Sequence, residues 1–191
     1  MSLITYTELC EEIQKGMMKA PADNSAPFNT IPLEHVNAAS VDVRLGRVFY
    51  EEKQNSGPIS LVHKDQSASV RMELNWNDTF WLLPGEFILA HTLEEFYLPN
   101  NIAAEFRLKS SVARAGLDQA LAVWCDPGWH GSVLTIELRN NTRYHVLELT
   151  VGMKIGQMVF FKGEPVPSDA SYAVRGQYNN DKEVTQSKGV K

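Results

Sequence analysis

Short segments of β-branched, aromatic and leucine residues follow one another from residue 40 to residue 161, each closed by a turn signal, and this pattern leaves few folds open. The segments are Val41–Tyr50, Phe80–Leu83, Phe87–Thr92, Ala103–Leu108, Ala120–Cys125, Val133–Arg139, His145–Leu149 and Ile155–Phe161. Between them stand Pro84-Gly85, Pro99-Asn100-Asn101, Asp126-Pro127-Gly128 and Asn140-Asn141, which fix φ or tolerate left-handed backbone and so interrupt strands. Many short strands at such spacing predict a mainly β subunit, a sandwich or a barrel. Helices do not alternate with the strands, which disfavours a doubly wound parallel sheet.

The flanks differ from this centre. Thr5-x-x-Glu8 reads as a capping box, and Leu9, Ile13 and Met17 follow at helical spacing with Gly16 near the end, so a short amphipathic N-terminal helix is expected. Residues 20–37 carry Pro21, Pro27 and Pro32 without a sustained period and read as an irregular connection. From Pro165 the chain turns polar, with Gly176 and Gly189. The expected division is therefore a β domain over 1–164 and a mobile C-terminal arm over 165–191, in which Tyr172 and Tyr178 supply two anchors for docking.

Length and charge narrow the function. A chain of 191 residues fits one core. Eighteen Lys and Arg stand against 23 Asp and Glu, a net charge of -5, which argues against a general nucleic-acid binder, since phosphate backbones are held by excess positive charge. The sequence contains neither a spanning apolar run nor a signal-type start, so no membrane role is expected. Cys10 and Cys125 form no disulfide framework, and a reducing cytoplasm is the expected setting. The histidines include no metal-ligand spacing of the hydrolase or zinc-deaminase kind, so no zinc is expected.

Three stretches exceed plain architecture. In Ser40-Val41-Asp42-Val43-Arg44-Leu45-Gly46 alternation puts the apolar residues on one face, and Asp42 and Arg44 read by pattern as a solvated face with a weak ion pair. In Lys109-Ser110-Ser111-Val112-Ala113-Arg114-Ala115-Gly116 two hydroxyls and cations meet at a strand end, either an ordinary Ser-capped turn or a phosphate cradle. After Asp126-Pro127-Gly128-Trp129 a strand places Leu134, Ile136 and Leu138 on its apolar face and Thr135, Glu137 and Arg139 on the other. Glu137 is there either an exposed strand residue or a functional carboxylate.

Taken together, these stretches resemble the dCTP deaminase branch of the trimeric dUTPase-like superfamily. The likeness runs in order through Lys15-Gly16, Ala38–Gly46, Pro84–Leu93, Lys109–Leu117, Asp126-Pro127-Gly128-Trp129, Glu137-Leu138-Arg139-Asn140 and Gly152–Gln157. It implies a distorted β-barrel or jelly roll, a homotrimer with active sites between subunits, and hydrolysis of dCTP to dUTP and ammonia. It also implies Mg2+ bound through the nucleotide triphosphate and no zinc. Glu137 is the position that marks the deaminase branch, and the resemblance makes it the general base, with Ser110 and Arg114 beside it. Lys109 and Ser111 would face phosphates, Asp126 the sugar or base, and Thr135 and Ile136 the base edge through their backbone. The arm would close over the nucleotide site with Tyr172, Gln177 and Asp181.

The chain departs from that pattern in places that bear on chemistry. Lys109 stands where an arginine is usual, Gln177 where a lysine is, and Asp181 where a glutamine is; Arg107, Arg175 and Lys182 are the candidates to compensate. Between Gly131 and Glu137 the chain is one residue longer, which predicts a β-bulge before Glu137, and Asp118-Gln119-Ala120-Leu121 replaces an apolar, His-containing stretch. Two other readings stay open: a dUTP pyrophosphatase, alone or combined with deamination in one site, and a catalytically weak nucleotide-binding regulator of the same fold.

Overall fold

The computed structural model describes residues 1–21, 30–54, 57–63, 69–120 and 122–190. The middle of the expected connection at 20–37, and Leu121 within the expected strand Ala120–Cys125, lie outside the described residues. Among the described residues no helix is long and apolar enough to cross a membrane.

The chain opens with β1 (Ser2–Leu3) and the predicted helix, α1 (Tyr6–Gln14). Leu9 is fully buried, as the apolar spacing requires. The capping box itself does not form: Thr5 is the N-cap residue without a side-chain cap bond. Glu8 instead accepts from Lys162 Nζ at 2.7 Å, and the same ammonium reaches Glu12 at 3.2 Å. A tertiary cation has taken the carboxylate that local spacing assigned to the backbone.

The rest is mainly β. One sheet centres on β13 (Lys154–Lys162), which pairs antiparallel with β1, β3 (Val41–Arg44) and β8 (Ile102–Leu108), while β8 also pairs with β10 (Trp124–Cys125). The second centres on β7 (Phe87–Tyr97) and β11 (His130–Asn140). There β2 (Met18–Lys19) and β4 (Val48–Glu52) pair with β7, β5 (Ser69–Glu73) pairs with β4, and β9 (Leu117–Gln119) pairs with β11. An antiparallel pair of β6 (Thr79–Leu82) and β12 (Leu147–Thr150), distant in sequence, forms a third small sheet. Among the described residues, two short α-helices, α2 (Ser110–Arg114) and α3 (Tyr172–Arg175), and a 3-10 turn at Leu33–His35 complete the fold. Phe49, Phe96, Phe106 and Phe160 are fully buried in one core with Ile88, Ile102 and Ile136, each such side chain contributing about 1.5–3 kcal/mol.

Two expected strands are corrected. The segment Val41–Tyr50 is not one strand: it leaves β3, makes a single bridge from Leu45 to Thr92, and enters the other sheet as β4. At the crossing a Cβ on Gly46 would run into the His91 ring, so only glycine lets the backbone pass. Of the expected strand Ala120–Cys125, Trp124–Cys125 is strand among the described residues.

The polar face of β3 is buried, not solvated. Asp42 and Arg44 are only 4% and 6% exposed. Asp42 lies 2.8 Å from Lys109 Nζ and 3.2 Å from Lys154 Nζ, and accepts from Asn37 Nδ2 at 3.0 Å. The Arg44 backbone N–H and Nε donate to the two carboxylate oxygens of Glu94, each at 2.8 Å. Period-2 alternation distinguishes two faces but does not say whether the second is covered; here the sheets cover both.

Candidate active site

The candidate base sits on β11, and the strand's register decides where it points. Leu134, Ile136 and Leu138 enter the core while Thr135 and Glu137 are half-buried and Arg139 is exposed, as the alternation predicts. The expected irregularity is present and lies upstream of Glu137. One register shift falls between His130 and Ser132, at Gly131 with φ +68, a left-handed conformation suited to glycine at a bulge. A second falls between Val133 and Thr135, where the Leu134 N–H donates to Thr92 Oγ1 at 3.0 Å in place of a ladder bond. From Thr135 to Arg139 every residue has its partner, from His91 to Phe87 on β7, with Glu137 opposite Leu89. The bulges are spent before the carboxylate, which stands on regular sheet.

Glu137 opens on a cavity of about 930 Å³. Thr135, Asp126, Tyr172 and Asp181 line the same cavity, so nearly half of the sequence-expected site residues converge there. Much of the wall is apolar, including Leu89, Phe87, Val123 and Trp124, and Trp124 Nε1 donates to Asp126 Oδ1 at 2.9 Å. Burial pushes the Glu137 carboxyl above the usual range, against smaller opposing hydrogen bonds from its own backbone and from Gln119; that direction suits a group that must take and return a proton near neutrality. Cys125 also lines the cavity, but burial pushes its thiol up, which removes the thiolate a nucleophile needs.

The remaining expected residues lie elsewhere. Among the described residues, Lys109, Ser110, Ser111 and Arg114 are not in the cavity lining. Ser110, Ser111 and Arg114 are exposed on α2, and Lys109 is held by Asp42. Ile136 has its side chain in the core. Arg107 pairs with Glu105 at 2.7 Å.

The arm lies docked on its own chain. Trp129 Nε1 donates to the Tyr178 carbonyl at 2.6 Å, the Val133 N–H to the Asp181 carbonyl at 2.9 Å, and the Thr185 N–H to Thr135 Oγ1 at 3.0 Å. Arg71 and Glu183 pair at 2.6 Å. Lys182 is taken by Glu95 at 2.7 Å, and Arg175 Nε donates to the Asp169 carbonyl at 2.7 Å. Neither expected compensator therefore reaches Asp181. The cation that does is Lys188, 2.9 Å from Asp181 Oδ2 and 2.8 Å from the Gln177 carbonyl, with its ammonium 4.7 Å from the Tyr178 ring centre.

Sequence reasoning missed Lys188 and Gln119. Lys188 is one lysine of a polar tail, with no periodicity to single it out. Gln119 was legible only as a departure from an apolar stretch; its Nε2 lies 3.5 Å from Glu137 Oε2.

Comparison with known proteins identifies the family and the fold. The profile of the dCTP deaminase-like family matches residues 8–163. A protein of Methanosphaerula palustris named dCTP deaminase, dUMP-forming, is 33% identical over 182 residues, covering 95% of this chain and 92% of its own. One of the same name from Corynebacterium efficiens is 34% identical over 169 residues, covering 85% and 84%. Among solved structures, the 2'-deoxycytidine 5'-triphosphate deaminase of Agrobacterium tumefaciens superposes with a TM-score of 0.66 at 18% identity, over 85% of this chain and 49% of that longer one. The chain thus spans about half the length of that protein. A mutant dUTPase of the S. aureus phage phi11, described with a structural Mg(II) ion, gives 0.50 at 14% identity, over 78% and 92%. These two likenesses show a shared dUTPase-like fold.

Proposed function

The chain belongs to the dCTP deaminase-like family, and we propose that it hydrolyses dCTP at C4 of the cytosine, releasing ammonia, with Glu137 as the general base. The observation that carries the reading is the half-buried Glu137 carboxyl on regular sheet at the wall of a cavity of about 930 Å³. Water attacking C4 gives up a proton to the carboxylate, and the same group returns a proton to the departing amine. One carboxyl serves both steps when burial holds its proton affinity between that of water and that of the leaving amine.

Asp126, Thr135 and the Ile136 backbone are assigned to the sugar and base, and Tyr172, Gln177 and Asp181 to the arm's closure over the phosphates, as a division into residues 1–164 and 165–191 implies. Ser110 and Arg114 are assigned to the developing charge on the base, and Lys109 and Ser111 to the phosphates. Because these four stand outside the cavity of their own chain, the assignment requires a second copy to present α2 to Glu137. A homotrimer with intersubunit sites provides that arrangement. Among the described residues no group of three His, Cys, Asp or Glu side chains is placed to hold a metal. Mg2+ is assigned to the triphosphate oxygens of the nucleotide, where it would supply charge neutralisation.

The name dUMP-forming, borne by the relatives, supports a second reading. In it the site consumes a second water and releases pyrophosphate as well as ammonia. Incubation with dCTP, dCMP and dUTP plus Mg2+, with ammonia and pyrophosphate followed separately, tests both. Ammonia alone from dCTP means dUTP is the product, ammonia with pyrophosphate means dUMP, and silence in both channels with nucleotide binding intact would overturn catalysis.

A further inference from the structure

We propose that Gln119 is a positioning residue for the deamination, its side-chain amide donating to Oε2 of Glu137 and holding the carboxylate in the orientation that receives the water proton. The proposal rests on the reading of Glu137 as the general base.

Gln119 is only 9% exposed, and a buried amide needs a partner; Glu137 Oε2, at 3.5 Å, is the acceptor its Nε2 finds. The strand around it leaves little freedom. On β9, Gln119 stands opposite Leu138 of β11, and the next amide, Ala120 N–H, donates to the Glu137 carbonyl at 3.0 Å. The segment is tied at its other end, where Asn141 Nδ2 donates to Asp118 Oδ2 at 2.8 Å and the Asn141 N–H to the Gly116 carbonyl at 2.9 Å. Two strands thus fix the donor and the acceptor independently of the ligand. At 3.5 Å the bond is long, and it has room to shorten when a nucleotide fills the cavity.

The electrostatic consequence has a definite sign. An N–H donor stabilises the charged form of a carboxylate, opposing the burial that favours the neutral one. Gln119 therefore keeps Glu137 ionised, and able to act as a base, at a lower pH than the cavity alone would allow. The amide gives up no proton in the reaction: the proton goes from water to Glu137 and then to the departing amine.

The test is the pH dependence of kcat for dCTP in the wild type, Gln119→Leu and Gln119→Glu. Removal of the donor is expected to move the acid limb upward by about one pH unit, an approximately tenfold loss of kcat at pH values below the limb, with KM within about twofold. Gln119→Glu places a like charge beside Glu137 and should move the limb further in the same direction. A Gln119→Leu enzyme with the wild-type limb and kcat would overturn the proposal. If that variant does not fold, the side-chain NH2 resonance of Gln119 in the wild type answers: it should titrate with the midpoint of the acid limb and lose that transition in Glu137→Gln. A resonance indifferent to Glu137 overturns the proposal, whereas a Glu137→Gln enzyme that still turns over overturns the reading beneath it.

Discussion

Lys188 and Asp181 form a closed ion pair inside the C-terminal arm, with the ammonium 2.9 and 3.1 Å from the two carboxylate oxygens. The carboxylate proposed to close over the phosphates is thereby paired with a cation seven positions later. The pair also places a cation at the rim of the cavity that Asp181 and Ser187 line.

Lys188→Ala should therefore weaken binding of dCTP more than that of dCMP, by about tenfold for the triphosphate, the worth of one charge-assisted contact. Titration of a catalytically silent background with both nucleotides measures it. Equal losses would take Lys188 away from the outer phosphates.

Glu137→Gln preserves shape and removes the proposed base. Turnover should fall by about 10²- to 10⁴-fold while nucleotide affinity stays within a few-fold. In the wild type, burial raises the Glu137 pKa, so the acid limb of kcat should lie above the ordinary glutamate value of about 4.3. Rate profiles at saturating dCTP check both statements.

Arg114→Ala and Glu137→Gln chains should each be inactive alone and regain activity when unfolded together and reassembled. With sites built between copies, random mixing leaves about a quarter of sites with both wild-type residues. Absence of any recovery, with mixed particles demonstrated by differential tagging, would place the site within one chain.

His91 links acidity to stability. Its Nε2 accepts from the Val48 N–H at 3.2 Å and its Nδ1 donates to the Thr92 carbonyl at 2.8 Å, bonds that require the neutral ring. Burial lowers its pKa in the folded state. The unfolded chain takes up a proton as pH falls through about 6.5 and the folded chain does so only lower, so stability drops with falling pH across that window. Urea midpoints from about pH 7.5 to about pH 5.5 should fall more steeply for the wild type than for His91→Gln.

Arg44 and Glu94 test the buried face of β3. Glu94→Gln leaves the guanidinium beside a neutral partner in the interior, and Arg44→Met leaves a buried carboxylate without its cation. Each should cost about 3–5 kcal/mol, read as a fall in the urea midpoint.

The residues of β11 illustrate how far the sequence reaches. Alternation at Leu134, Ile136 and Leu138 identified the core face, and thereby the face on which Glu137 stands, because side chains on a strand have only two directions. The extra residue after Gly131 announced a bulge, yet not its place; pairing with β7 put both register shifts before Thr135. The same alternation misled at β3, since the pattern of Asp42 and Arg44 is identical for a solvated face and for a buried one whose charges are paired.

Turn chemistry and strand spacing by themselves determined a mainly β subunit with a leading helix, since both are local properties of neighbouring residues. The ordered motifs determined the family and nominated Glu137. Only the tertiary structure decided which nominees share a cavity, that α2 stands apart from it, that Lys188 answers Asp181, and that Gln119 reaches Glu137. Those relations join residues distant in sequence through pairing and charge, and such contacts leave no period along the chain.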